Sequence, residues 1–281
     1  MTFDRRVTPF NGRVAAERLR GQVQAERFCK GGPRQLSVPV ADLLRAPHGP
    51  RERQLLMGEG ITLYDTRDGW AFVEAARDGF CGYLREAQLE ERATPTHWVH
   101  APASHLYAEA DFKRPERACL SFGAQLRVTR QVGRFVECKD GFVPAIHVAP
   151  LSQRMDDPVG VAALFLGTPY LWGGNSRAGI DCSGLVQGAL LACGHACPGD
   201  SDLQEKQLGV EVAFDPATLR QGDLLFWKGH VAWAMGDGRI LHANAHHMAV
   251  TYEDLDAALR RIADAGDGNV TSVRRGEWVT R

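Results

Sequence analysis

Asp181-Cys182-Ser183-Gly184 opens an apolar stretch, and His230 and His242 follow it downstream. These residue types can build a thiol nucleophile. A cysteine at a helix start sits where backbone N–H groups point outward and the macrodipole is positive, which favours the thiolate. The same N–H groups, that of Cys182 included, can donate to a tetrahedral oxyanion. The imidazoles supply a base and an orienter for it. His230 starts one β-type run and His242 lies on the next, with Gly236-Asp237-Gly238 between them. A three-residue loop centred on Asp237 sets His230 opposite Asn244 and His242 one diagonal step away on the same face, roughly 7–8 Å distant at the backbone. A two-residue loop puts the histidines on opposite faces. Taken singly, a strand histidine or a helix-start cysteine is ordinary packing; on one hairpin face beside a helix start they read as a thiol hydrolase site.

The elements that must position these groups lie beyond Arg154. Asp156-Asp157-Pro158 is an N-cap signal with a first-turn proline, followed by a helical stripe of Val159, Ala162, Ala163 and Phe165 that Gly167 ends. The Gly-rich loop Tyr170–Ser176 leads into Asp181. Apolar residues at 185, 186, 189 and 190 predict a buried helix with Gly194 as its C-cap. Strands are expected at Leu224–Trp227, Val231–Met235, Ile240–Ala243 and Val270–Arg274, and a helix over Tyr252–Ala265. Trp172 and Trp227 read as core residues, and His246 and His247 as surface. One helix-borne cysteine on an antiparallel sheet is an α+β layout.

The chain before residue 150 has another texture. Its first 35 residues are Arg-rich, with Val14, Leu19 and Val23 spaced for a short helix or an arm. Short β-type runs between Gly, Pro and Asp turns fill Gln35–Leu151, and the second half of that region restates the first: VADLLRAP resembles SHLYAEAD, and GFCGYL resembles DGFVPAI. A period of roughly 60 residues with strands this short predicts two small barrels in tandem, each with the rhythm of a bacterial SH3-like domain. The expected division is 1–35 arm or helix, 36–92 first barrel, 93–152 second barrel and 153–281 catalytic domain.

Composition narrows the function. A net charge of −1 without a basic block argues against nucleic acid and membrane surfaces as partners. No run approaches the roughly 18 apolar residues of a membrane span, and the opening residues carry no apolar signal core. Seven cysteines without a framework suit reduced thiols, so a cytoplasmic enzyme is expected. Cys193-Gly-His195-Ala-Cys197 lacks a second ligand pair, and His97, His100 and His105 lack a metal-binding frame. No metal and no cofactor is expected.

Residues 156–275 resemble the NlpC-type branch of papain-like cysteine peptidases, the bacterial cell-wall endopeptidases. GTPYLWGG, DCSGLVQ, GDLLFW, GHVAWAM and ILHAN carry the resemblance, in that order. It implies an α+β papain-like catalytic domain preceded by two small all-β SH3-like barrels, with Cys182 as nucleophile, His230 as base and acid, and His242 orienting His230. The tandem modules look like those of intracellular members that trim murein peptides. Such enzymes cut between γ-D-glutamate and the following diamino acid of stem peptides with a free N-terminal L-Ala, and an SH3-like domain closes the far end of their cleft. Positions matching their substrate contacts are Asp181, Ser183, Ser201, Tyr170 near the oxyanion, and Tyr83 and Glu74 in the first barrel. Gly199 departs from the pattern, since arginine is common there. Two rivals from other classes are a cell-wall-binding protein whose papain-like domain does not turn over and a different thiol amidase or acyltransferase.

Overall fold

The computed structural model describes residues 3–278. The chain divides into two compact units, one up to Gln153 and one from Arg154 on. In the N-terminal unit a seven-stranded antiparallel sheet runs in the order Arg51–Leu56, Val40–Leu44, Cys81–Arg85, Trp70–Ala75, Gly60–Arg67, Gly32–Leu36, Leu89–Glu91. Its alternating apolar residues, Leu43, Leu55, Ile61, Val73 and Leu84 among them, are buried in one core. A five-stranded sheet follows in the order Glu116–Ser121, Ala103–Tyr107, Gly141–Pro144, Phe135–Cys138, Val128–Val132. Numbered within each module, the strands of this sheet and of the first five above share one order, 2-1-5-4-3, so the internal sequence repeat is a repeat of topology. Among the described residues the strand pairing of each sheet runs between two end strands, and the ladders alone do not close the small barrels that the sequence suggests.

The expected N-terminal helix is a single 3-10 turn, Glu17–Leu19, between strands Val14–Ala16 and Arg27–Cys29, which pair in parallel. Val14, Ala15, Ala16 and Leu19 are buried against Tyr64, Phe72 and Cys81 of the large sheet. Fully buried, side chains of the size of Val14 and Leu19 contribute about 1.5–3 kcal/mol each. The arginines of this segment meet acids of the sheet: Arg13 and Arg27 pair with Asp65, and Arg18 with Glu74. Gly32–Leu36 already belongs to the sheet, so the arm ends before residue 32.

Among the described residues the C-terminal unit has four α-helices, α1 (Pro158–Ala163), α2 (Cys182–Ala192), α3 (Ser201–Gln207) and α4 (Leu255–Asp264). Its six-stranded antiparallel sheet comprises β1 (Val210–Val212), β2 (Leu224–Trp227), β3 (His230–Ala234), β4 (Arg239–Asn244), β5 (Ala249–Asp254) and β6 (Ser272–Arg275), ordered β1-β6-β2-β3-β4-β5. Carboxylate caps start three of the helices: Asp157 accepts from the Val159 N–H, Asp181 from Gly184 and Asp254 from Ala257. The capping aspartate of α4 makes Ala249–Asp254 a strand where the periodicity predicts the start of a helix. α4 buries Leu255, Ala258 and Ile262 against Leu225, Trp227, Ala232 and Ile240. α2 has no polar face: Ser183, Gly184 and Gln187 are buried along with its apolar residues, and it packs on α1, β3 and β4.

Two glycines of α2 should respond oppositely to alanine. A Cβ on Gly184 would lie 2.5 Å from the Gly174 carbonyl oxygen, whereas one on Gly188 meets nothing within 4 Å. Gly188→Ala is expected to gain about 0.5–1 kcal/mol from helix propensity, and Gly184→Ala to lose about 1–3 kcal/mol from overpacking against backbone. Urea unfolding of the two variants checks both signs.

Candidate active site

Cys182 is the first residue of α2 and is buried. Its turn is held from three sides. Asp181 accepts from the Gly184 N–H at 2.6 Å and the Ser183 hydroxyl at 3.0 Å, while its second oxygen accepts from the Gly173 N–H at 2.9 Å. From α3, Gln204 donates to the Ser183 carbonyl at 2.9 Å and to the Pro198 carbonyl at 3.0 Å. Ser201 begins that helix. Tyr170 is fixed by its N–H, which donates to the Met248 carbonyl, and by a bridge to Ile180. Burial, with the Cys182 and Asp181 charges adding to it, pushes the Tyr170 hydroxyl above its ordinary value. It therefore stays protonated, and can donate, at working pH.

The hairpin that carries the histidines has the three-residue loop. Met235 donates to the Arg239 carbonyl at 2.9 Å, and Trp233 and Ala234 pair with Leu241 and Ile240. Gly236 and Gly238 take φ of +76° and +80°, the left-handed region that glycine adopts without a Cβ penalty. Continued along the strands, this register sets His230 across from Asn244 and His242 one diagonal step away. The side chains meet: His230 Nε2 lies 2.9 Å from His242 Nδ1. That contact leaves Nδ1 of His230 as the ring nitrogen for a proton exchange with a thiol.

Behind His242, which is wholly buried, stand groups that sequence reasoning missed. Its Nε2 lies 3.0 Å from Glu253 Oε2 and 3.0 Å from Asn244 Nδ2. Arg261 of α4 grips the same carboxylate through Nε–Oε1 at 2.9 Å and Nη2–Oε2 at 2.6 Å. The signal for Glu253 was its odd spacing from His242: it faces Ile240 across the β4–β5 ladder, which turns it towards the imidazole one diagonal away. Reading residues 252–265 as helix hid it. His242, His247 and Glu253 bring three potential ligand atoms within 4.8 Å of one another. The Arg261 guanidinium already neutralises that carboxylate, so the cluster is wired for hydrogen bonding and not for a cation.

The remaining expected site residues divide. Asp181, Ser183 and Tyr170 gather at the start of α2. Glu74 and Tyr83 belong to the N-terminal unit, where the Glu74 carboxylate is engaged by Arg18 and the Tyr64 hydroxyl. Tyr83 packs its ring on Phe72, 5.2 Å away, beside a pocket that Arg13, Asp65 and Trp70 also line. Trp227 is core, but Trp172 is not: it is 66% exposed, on the loop ahead of Cys182. A tryptophan followed by two glycines sits in a turn that lies outside the core, whatever its hydrophobicity.

Burial holds His230 down to about 3, with the neighbouring imidazole adding to the effect. Burial also lowers His242, against the opposing pull of Glu253. Glu253 is raised by burial, but hydrogen bonds from Arg261 and His242 outweigh this and hold it well below the carboxylate range. As pH falls the unfolded chain therefore takes up the histidine protons first, near 6.5. Stability contributed by the neutral imidazoles is complete above that pH and is lost as pH descends towards 3. Thermal melts from pH 7 to pH 5 should show the wild type losing more Tm than His230→Gln. Equal slopes would discard the buried neutral imidazole.

Residues 167–261 match the NlpC/P60 family, and residues 43–89 match the bacterial dipeptidyl-peptidase SH3 domain. The chain is 32% identical over 219 residues to a gamma-D-glutamyl-L-lysine dipeptidyl-peptidase of Bacillus subtilis, covering 68% of this chain and 72% of that protein. A protein of the same name from Bacillus cereus is 30% identical over 227 residues, covering 68% and 67%. The crystal structure of an NlpC/P60 family protein from Bacillus cereus shares the fold, with a TM-score of 0.72 over 87% of this chain and 99% of that one at 22% identity. With a cysteine at the start of a buried helix, two touching histidines on one hairpin and these relatives, the chain belongs to the NlpC/P60 family of cysteine peptidases.

Proposed function

We propose that this peptidase hydrolyses the bond between γ-D-glutamate and the following diamino acid in short murein stem peptides that carry a free N-terminal L-Ala. The relatives named for γ-D-glutamyl-L-lysine cleavage support the bond, and the SH3-domain match supports the short substrate. The observation that carries the mechanism is the His230 Nε2–His242 Nδ1 contact, because it commits the other nitrogen of His230 to the nucleophile. The second β-module, with its repeated strand order, is read as a second SH3-like domain. Seven free cysteines are consistent with a reducing cytoplasm, where such peptides are recycled.

In the acylation step Cys182 Sγ attacks the γ-carbonyl carbon while its proton passes to His230 Nδ1. The oxyanion is met by the outward N–H groups of the α2 end and by the Tyr170 hydroxyl. The C–N bond breaks, and the departing amine takes the proton from His230. Water then gives a proton to His230 and its oxygen to the thioester carbon; sulfur leaves and recovers the proton. His242 holds the plane of His230 throughout. Asp181 offers the negative charge for the substrate ammonium, with Ser183 and Ser201 as further contacts.

Cys182→Ala should fold normally and lower kcat/KM on L-Ala-γ-D-Glu-diamino acid by about 10⁴-fold or more; hydrolysis at the wild-type rate removes Cys182 from the nucleophile role. Acetylating the substrate's N-terminus should cost about 10²-fold or more in kcat/KM, since a buried carboxylate loses its partner. An unchanged kcat/KM would mean that the free amine is not read.

A further inference from the structure

The hydrogen-bonded chain continues past His242 into Glu253 and Arg261, and the direction of its protons has a consequence for the base. A neutral imidazole carries one proton. On His242 it sits either on Nδ1, towards His230, or on Nε2, towards Glu253 and Asn244. Asn244 is pinned: its carbonyl oxygen accepts from the His247 N–H at 2.8 Å and from His247 Nδ1 at 3.0 Å, so its amide nitrogen is the atom facing His242. A donor and an acceptor thus compete for His242 Nε2: the Asn244 amide would donate to a bare nitrogen, whereas Glu253 would accept from a protonated one. The contest is uneven. A hydrogen bond to an ionised carboxylate is roughly twice as strong as one between neutral groups, and a bare nitrogen pointed at a carboxylate is repelled by it. Arg261 keeps that carboxylate ionised and in place through two contacts. The charged and titratable groups around this chain are His230 on β3, Glu253 on β5, Arg261 on α4 and His247 in the turn after β4.

We propose that Glu253, clamped by Arg261, is a positioning residue that places the proton of His242 on Nε2 and thereby sets the tautomer of His230, leaving Nδ1 of His230 as the base. With Nε2 of His242 protonated, its Nδ1 accepts; His230 must then donate through Nε2, and its single proton is used. The opposite arrangement would put a proton on His230 Nδ1 and disable it as a base before the reaction begins. This rests on the reading of His230 as the base, so the test separates the two claims.

The direct measurement is the ring ¹⁵N spectrum of the histidines in the full-length wild-type protein near pH 7, which requires no variant to fold. The expected spectrum shows His230 and His242 both protonated on Nε2 and bare on Nδ1. A proton on Nδ1 of His242 overturns the proposal. Kinetics supply the second readout. Glu253→Gln should lower kcat by about 10- to 100-fold with KM nearly unchanged and move the acid limb of the pH profile to lower pH, because a negative charge beside the imidazoles is gone. Glu253→Asp should recover part of the loss. A Glu253→Gln enzyme with wild-type kcat and pH profile, while His230→Gln is inactive, refutes the positioning role alone. Activity retained in His230→Gln refutes the base assignment and the proposal with it.

Discussion

The register between β3 and β4 is the constraint on which the site depends. Side chains alternate along a strand, so a slip of one residue would send His242 and Asn244 together to the far face and leave His230 opposite an alanine. The slip is prevented at the turn. Two glycines at positive φ bracket Asp237, and Arg239 closes on that aspartate through its backbone N–H and guanidinium. The apolar partners of the same strands, Ile240 and Ala234 against α4, make any other pairing expose core residues. Loop chemistry and core packing thus select one alignment, and the contact between imidazoles is its by-product.

Setting a half-buried imidazole against a buried one raises an electrostatic problem that the rest of the hairpin answers. Neither ring can hold a second proton cheaply in that setting, and the proposed acylation requires one of them to do so. A carboxylate two positions along β5 and a guanidinium from α4 supply charge of both signs within hydrogen-bonding reach. The negative group steadies a transient imidazolium, and the positive group stops the carboxylate from taking a proton itself. α4 therefore has two jobs, closing the core with Leu255, Ala258 and Ile262 and presenting Arg261 from its polar side.

What the sequence disclosed follows from how local each signal was. The nucleophile's turn was legible because a capping aspartate, a small residue and a glycine in succession encode a helix start. The histidine pairing was legible because parity and loop length suffice to place two residues on a face. Glu253 was not, since the apolar spacing of α4 blurs into β5 and only the strand ladder turns residue 253 towards residue 242. Trp172 lies outside the core for a related reason: hydrophobicity says that a residue can be buried, and only the path of the chain says whether it is. The partners of the arm's arginines, Asp65 and Glu74, are distant in sequence and leave no local signal.

The arm has a bearing on how the chain is made. Val14 to Leu19 find their apolar partners in Tyr64, Phe72 and Cys81, so 62 positions separate Leu19 from the last of them. At roughly 5–20 residues per second of synthesis, that is about 3–12 s during which the segment has emerged with nothing to cover it. Its density of arginine then serves a second purpose. Positive charge keeps a short hydrophobic run in solution while the ribosome is still adding the strands that will receive it, and the acids on those strands become the cue for docking.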